Sequence, residues 1–143
     1  MVKFKTKNMG GIPMNKNSKT IANKNYVSWF EIPAIDFQRA VYFYNHIFSF
    51  EMIQNITDVN SIAFFPATSG IGGAVIAGPN SIPSDKGPLI YLNGGKDLSI
   101  VLAKVEDAGG RIVMPKTLIS EDDGYFAIFI DSQGNKLALH SKN

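Results

Sequence analysis

The sequence predicts an α+β fold of two tandem βαβββ modules, forming a cupped mixed β-sheet with helices on the outside. Three observations carry the duplicated modules and leave open whether they form one sheet or two. The order strand, helix and three β-rich runs occurs twice between residues 26 and 141. Each predicted helix bears an apolar stripe at 3.6-residue spacing, wide enough to cover one face of one sheet. A polar Pro/Gly/Ser stretch, GPNSIPSDKGP, separates the halves and reads as a linker. The modules therefore fall at about 26–78 and 88–141, joined by a linker at 79–87.

In the first module VSWFEIP lies within a predicted strand over 26–33, stopped by Pro33. Alternation places Trp29, the single tryptophan, and Glu31 on one face, with Ser28, Phe30 and Ile32 on the other. The second face suits a core. The first joins a large aromatic to a carboxylate, which an apolar interior rarely holds unless something meets the charge. DFQRAVYFYNHIF predicts a helix over 36–48, with Asp36 as N-cap and Phe37, Ala40, Val41, Tyr44, Ile47 and Phe48 on the buried stripe. Runs at 51–56, 61–66 and 73–77 supply three strands.

The second module repeats the order. LIYLN (89–93) is a strand, and DLSIVLAKVEDAGG (97–110) is a helix turning Leu98, Val101, Leu102 and Val105 inward. Gly109 and Gly110 read as its C-cap. RIVMP (111–115), GYFAIFID (124–131) and KLALH (136–140) are the remaining strands, the last two joined by a glycine-containing turn.

One helix covers one face of a four-stranded unit, so each opposite face must find the other or a second chain. Two curved sheets side by side would share a concave lining to which Trp29 and Glu31 contribute, with the indole shielded from water. Strand edges and apolar surface favour symmetric pairing, so a homodimer is expected.

The 143 residues suit one domain with a single core. The absence of cysteine excludes disulfides, thiolate metal sites and cysteine nucleophiles. No apolar stretch approaches the roughly 20 residues of a membrane span, and the N-terminus lacks the apolar segment of a secretory signal. A cytoplasmic protein without a membrane partner is expected. The net charge of +2 arises in residues 1–24, which hold six lysines and no acid, whereas residues 25–143 carry a balance of −4. Residues 1–24 read as a disordered basic tail, and 25–143 as the folded domain. With no basic stripe or aromatic platform in the body, no nucleic-acid partner is expected.

Four stretches, WFEIPAIDFQRAVYFYNHIFSFEM, GIGGAVIAGP, YLNGGKDLSIVLAKVEDAGGRIVMPKT and GYFAIFIDSQGNKLALHS, resemble the glyoxalase/bleomycin-resistance/dioxygenase superfamily, also called vicinal oxygen chelate proteins. The similarity runs in order through both halves and is nearest to the bacterial glyoxalase-related branch. It implies paired βαβββ modules forming a cup, often in a homodimer, with a divalent metal held by a His, Gln or Glu from each of four strands. The corresponding positions here are Trp29, a residue near Ala77, Leu89 and Ala138. None offers the oxygen or imidazole that a divalent cation wants. No cofactor is therefore expected, with a divalent metal at Glu31 and His140 as the alternative if the register slips by two.

The implied function is then the binding of a small apolar or aromatic molecule in the cup, with Trp29 in the vacated metal position. The lining candidates are Trp29, Glu31, Phe64, Leu89, Tyr91, Tyr125, Ala138 and His140. The alternative is a glyoxalase-related lyase, isomerase or dioxygenase-like enzyme using Glu31 and His140 as acid/base groups. Glu31 reads rather as a structural acceptor for a backbone amide or a tyrosine hydroxyl. His46 sits off the helix stripe and reads as solvated, and Glu121, Asp122 and Asp123 read as a solvated turn. The glycine-rich pieces SGIGG and NGG lack the phosphate-binding pattern. Two badly placed histidines leave no serine triad to build.

Overall fold

The computed structural model describes residues 25–143, so the tail predicted at 1–24 lies outside the described residues. The first module comprises β1 (Trp29–Ala34), α1 (Phe37–Phe48), β2 (Ile53–Ile56), β3 (Ser61–Phe64) and β4 (Gly72–Ala77). The second comprises β5 (Tyr91–Asn93), α2 (Ser99–Leu102), β6 (Arg111–Ser120), β7 (Gly124–Ile130) and β8 (Lys136–Ser141). The sheets are ordered β1-β4-β3-β2 and β5-β8-β7-β6. That is the same order twice, with one parallel pair and two antiparallel pairs in each. The duplicated mixed α+β fold is thus as predicted, except that the two sheets stay separate instead of closing into one.

β1, β2 and β5 start two or three residues later than expected and β3 ends two earlier, and three elements differ in ways that bear on the fold. Pro33 does not stop β1, which runs on to Ala34. β1 is an edge strand, where a missing backbone N–H costs no ladder bond. β6 likewise passes through Pro115 to Ser120. It is the opposite edge of its sheet, and register shifts absorb the irregularity.

The second helix is the larger difference, with only Ser99–Leu102 α-helical. Beyond it the bonds tighten to three-residue closures, Lys104 to Val101 and Val105 to Leu102. Valines and aspartate give this stretch little intrinsic helix preference. Its apolar stripe still goes inward, because burial rather than propensity decides. Leu98, Val101, Leu102, Val105 and Ala108 are all buried.

α1 matches its prediction. Asp36 caps it by accepting from the Arg39 amide at 3.1 Å, and Phe37, Ala40, Val41, Tyr44 and Ile47 are buried. Phe43, left off the predicted stripe, is fully buried and stacks on Phe129 of β7 at 6.0 Å. One continuous core therefore joins both modules, from Ile32, Ala63 and Val75 to Leu92, Phe129 and Leu139.

A polar clasp reinforces that junction. The turn from Asp131 to Asn135 holds three parts of the rest of the chain. Asp131 Oδ2 accepts from the Tyr44 hydroxyl of α1 at 2.6 Å. Gln133 Oε1 accepts the amides of Ile35 and Asp36 at 2.9 and 2.8 Å. Asn135 donates to the Pro33 carbonyl at 2.7 Å and accepts from the Ser84 amide in the linker at 3.0 Å.

Candidate functional site

β1 sends side chains to two different environments. Phe30, Ile32 and Ala34 face the core. Trp29 and Glu31 stand on the opposite, open face of the first sheet, as alternation requires. A glycine pair in β4 makes room on both sides. Gly72 lies opposite Trp29 and Gly73 opposite Phe30. A Cβ on Gly72 would come 3.1 Å from the indole, and one on Gly73 2.4 Å from the Phe30 ring.

The open face reads across the strands as Glu31, Ala74, Phe64 and Ile53. The Trp29 and Phe64 rings are 6.2 Å apart and tilted. The partner of Glu31 is the indole itself, since Trp29 Nε1 donates to its carboxylate at 3.3 Å. Among the described residues neither expected acceptor role, for a backbone amide or a tyrosine hydroxyl, is realised. Trp29 is 44% exposed, so within one chain the shielding expected of a closed cup is absent. The second sheet does not supply the facing wall.

The second sheet carries the equivalent row of Tyr91, Ala138, Ile128 and Met114. His140 stands one step along beside Phe126, and Phe126 lies 6.4 Å from the Tyr91 ring. Ala74, Phe126 and Ala138 are buried, yet none belongs to the common core. They form the floors of the two open faces. Strand pairing makes Ala74 opposite Glu31 the counterpart of Ala138 opposite Tyr91. The first-module position assigned near Ala77 is therefore corrected to Ala74, because Ala77 packs against the core.

Two other candidates lie away from this face. Tyr125 packs against the core, with the Lys116 ammonium 4.5 Å from its ring centroid. The same ammonium is 2.9 Å from Asp97 and, chiefly through that hydrogen bond, lowers the Asp97 carboxyl to about 2. Leu89 lines a separate cavity with Phe30.

His140 Nε2 lies 2.6 Å from the Asp123 carbonyl. A carbonyl only accepts, so Nε2 carries the proton and Nδ1 alone is left to accept. Glu31 and His140 stand on different sheets. Glu121 and Asp122 form a turn whose carbonyls take the Lys142 ammonium, and His46 stacks on Tyr42.

The metal implied by the family resemblance does not fit these residues. Trp29, Ala74, Leu89 and Ala138 bring no oxygen or imidazole donor, and among the described residues no three His, Cys, Asp or Glu side chains converge. No helix among the described residues is long and apolar enough to cross a membrane.

The family model for the glyoxalase/bleomycin resistance protein/dioxygenase superfamily matches residues 26–139. No curated protein matches the chain. Among solved structures, a glyoxalase/bleomycin resistance protein from Albidiferax ferrireducens T118 is similar with a TM-score of 0.67 and 14% identity, over 83% of this chain and 100% of that one. An antibiotic binding protein from Streptomyces sp. CB03234 is similar with a TM-score of 0.56 and 19% identity, over 83% and 97%. The trypanothione-dependent glyoxalase I of Leishmania major is similar with a TM-score of 0.60 and 13% identity, over 82% and 87%.

Proposed function

The chain belongs to the glyoxalase/bleomycin resistance protein/dioxygenase superfamily, and from that premise we propose that it is a metal-independent cytoplasmic protein binding a small apolar or aromatic molecule on the open face around Trp29. One observation carries the reading. Trp29 and Phe64 flank a floor set by Ala74, and the carboxylate beside them is engaged by the indole N–H. Large aromatic surface with a single polar handle suits an aromatic guest. An antibiotic binding protein of similar fold is consistent with a binding role on this scaffold.

Trp29 reports on its own site without interference from another indole. Titration with planar aromatic compounds should quench or blue-shift its emission, and Trp29→Ala should weaken binding by about 1–3 kcal/mol, as truncated aromatic anchors do. Glu31→Gln keeps shape and hydrogen bonding and removes charge, so affinity for a neutral guest should change little. An enzyme using this carboxylate as its base would instead lose on the order of 10²–10⁴ in rate. An emission spectrum that no aromatic compound perturbs would sink the binding reading.

A second copy supplies the facing wall in this reading. Trp29 and Ile53, 44% and 69% exposed, present an apolar face that a partner sheet would cover. Light scattering at micromolar concentration should give twice the 15.6 kDa chain mass. A monomeric mass would reject this assembly.

A further inference from the structure

We propose that the chain carries a second small-molecule site, for an uncharged aromatic or polycyclic apolar compound, in the cavity between the edge strands β1 and β5. The cavity has a volume of about 660 Å³, within the roughly 300–1,000 Å³ of small-molecule sites and far above the packing voids of an ordinary interior. It lies on the Phe30 side of β1, the opposite side from Trp29.

Its walls are four phenylalanines, Phe30, Phe48, Phe50 and Phe65, completed by Val27, residues 66–67, Ile71 and residues 88–93. The rings hold one another in place. Phe65 lies 5.3 Å from Phe30, 5.7 Å edge-on from Phe50 and 6.3 Å edge-on from Phe48. Phe48 and Phe50 stack at 5.3 Å. Phe65 is braced from behind by Tyr44 at 5.4 Å, and Phe30 lies against Gly73, where any Cβ would collide with its ring. The cage is therefore built before a guest arrives, which lowers the ordering cost of binding.

The lining also sets the chemistry of the guest. Among the described residues it has no charged side chain, and its polar side chains are Tyr91 and Asn93, both on β5. A charged ligand would lose its hydration and meet no counter-charge. An uncharged ring system would meet phenyl faces and edges on several sides.

The test is a titration of the full-length protein with Nile red, an uncharged polycyclic dye that brightens in apolar surroundings. Saturable binding is expected. Ile71→Arg places a charge at a position already 39% exposed, so the fold should survive, and dye affinity should fall by at least about tenfold. Leu89→Gln, at a half-buried lining position, should weaken it in the same direction. Ile100→Ala, at an exposed position on α2 outside both sites, should change it less than about twofold. Absence of saturable binding would overturn the proposal. So would retention of full affinity in both cavity variants. Because the two sites answer to different variants, failure here leaves the reading of the Trp29 face standing, and the reverse.

Discussion

Asp131→Ala is expected to destabilise the fold by roughly 3–5 kcal/mol, the largest effect of any single side chain outside the apolar core. The carboxylate accepts four hydrogen bonds, from the Tyr44 hydroxyl, the backbone amides of Gln133 and Asn135, and the Asn135 side chain. Residue 131 is 3% exposed and Tyr44 fully buried, so the donors left behind have no water to turn to. A thermal melt should show a midpoint lower by at least about 10 °C. A shift of only a degree or two would mean that the clasp is an ornament on a junction held by packing alone.

Tyr44→Phe separates the hydroxyl from the ring. Burial first, then the negative charge of Asp131 and the hydrogen bond to it, raise the Tyr44 pKa well above its ordinary value. The folded chain thus keeps a proton that the unfolded chain loses near pH 10. The stability arising from this difference is fully present below that pH and falls away above it. The parent should lose stability between about pH 9 and pH 11 more steeply than Tyr44→Phe does. Parallel alkaline limbs for the two proteins would contradict this origin.

Gly110→Ala is the second large effect, expected at about 3 kcal/mol. A Cβ there would lie 2.6 Å from the Ile130 carbonyl oxygen, 2.6 Å from the Phe43 ring and 3.0 Å from Val105. The ring is fully buried and the carbonyl is backbone, so neither yields cheaply. Gly109→Asn next door should be mild. Gly109 has φ +100 and a roomier surrounding, and asparagine is the side chain best tolerated at positive φ. Equal denaturation midpoints for Gly110→Ala and the parent would show that the two elements have room to part.

This glycine pair illustrates what the sequence discloses. Two adjacent glycines after an apolar stripe read as a C-cap, but α2 is capped at Ala103, and Gly109, at φ +100, instead closes the run of turns that follows. The close approach at Gly110 involves Phe43, which lies 67 positions earlier; no local pattern reveals it. The duplicated strand and helix order was legible because periodicity is local. The strand ends were not, because Pro33 and Pro115 break a strand or not according to whether it lies at an edge. That is a property of the whole sheet.

The site divides the same way. Alternation along VSWFEIP correctly put Trp29 and Glu31 on the face away from the core. That the carboxylate would find the indole two residues away follows from the same alternation, which brings i and i+2 together. What alternation could not supply is the facing wall, or the aromatic cavity behind Phe30. Phe48, Phe50 and Phe65 come from a helix end and two loops, and only tertiary packing gathers them. Tyr125 was misplaced by a single step of the strand period, since Phe126 and not Tyr125 faces the open side.

The clasp has a consequence for how the protein is made. Its bonds join residues 97, 98 and 102 positions apart, from Asp36 and Ile35 to Gln133 and from Pro33 to Asn135. Contacts of such long sequence separation slow folding. During synthesis the first module leaves the ribosome well before its fasteners exist. The end of β1 must wait, unsecured, until residues 131–135 emerge. The N-terminal half is thus the early-made and late-finished part of this chain, and its nascent form is the state in which aggregation most threatens it.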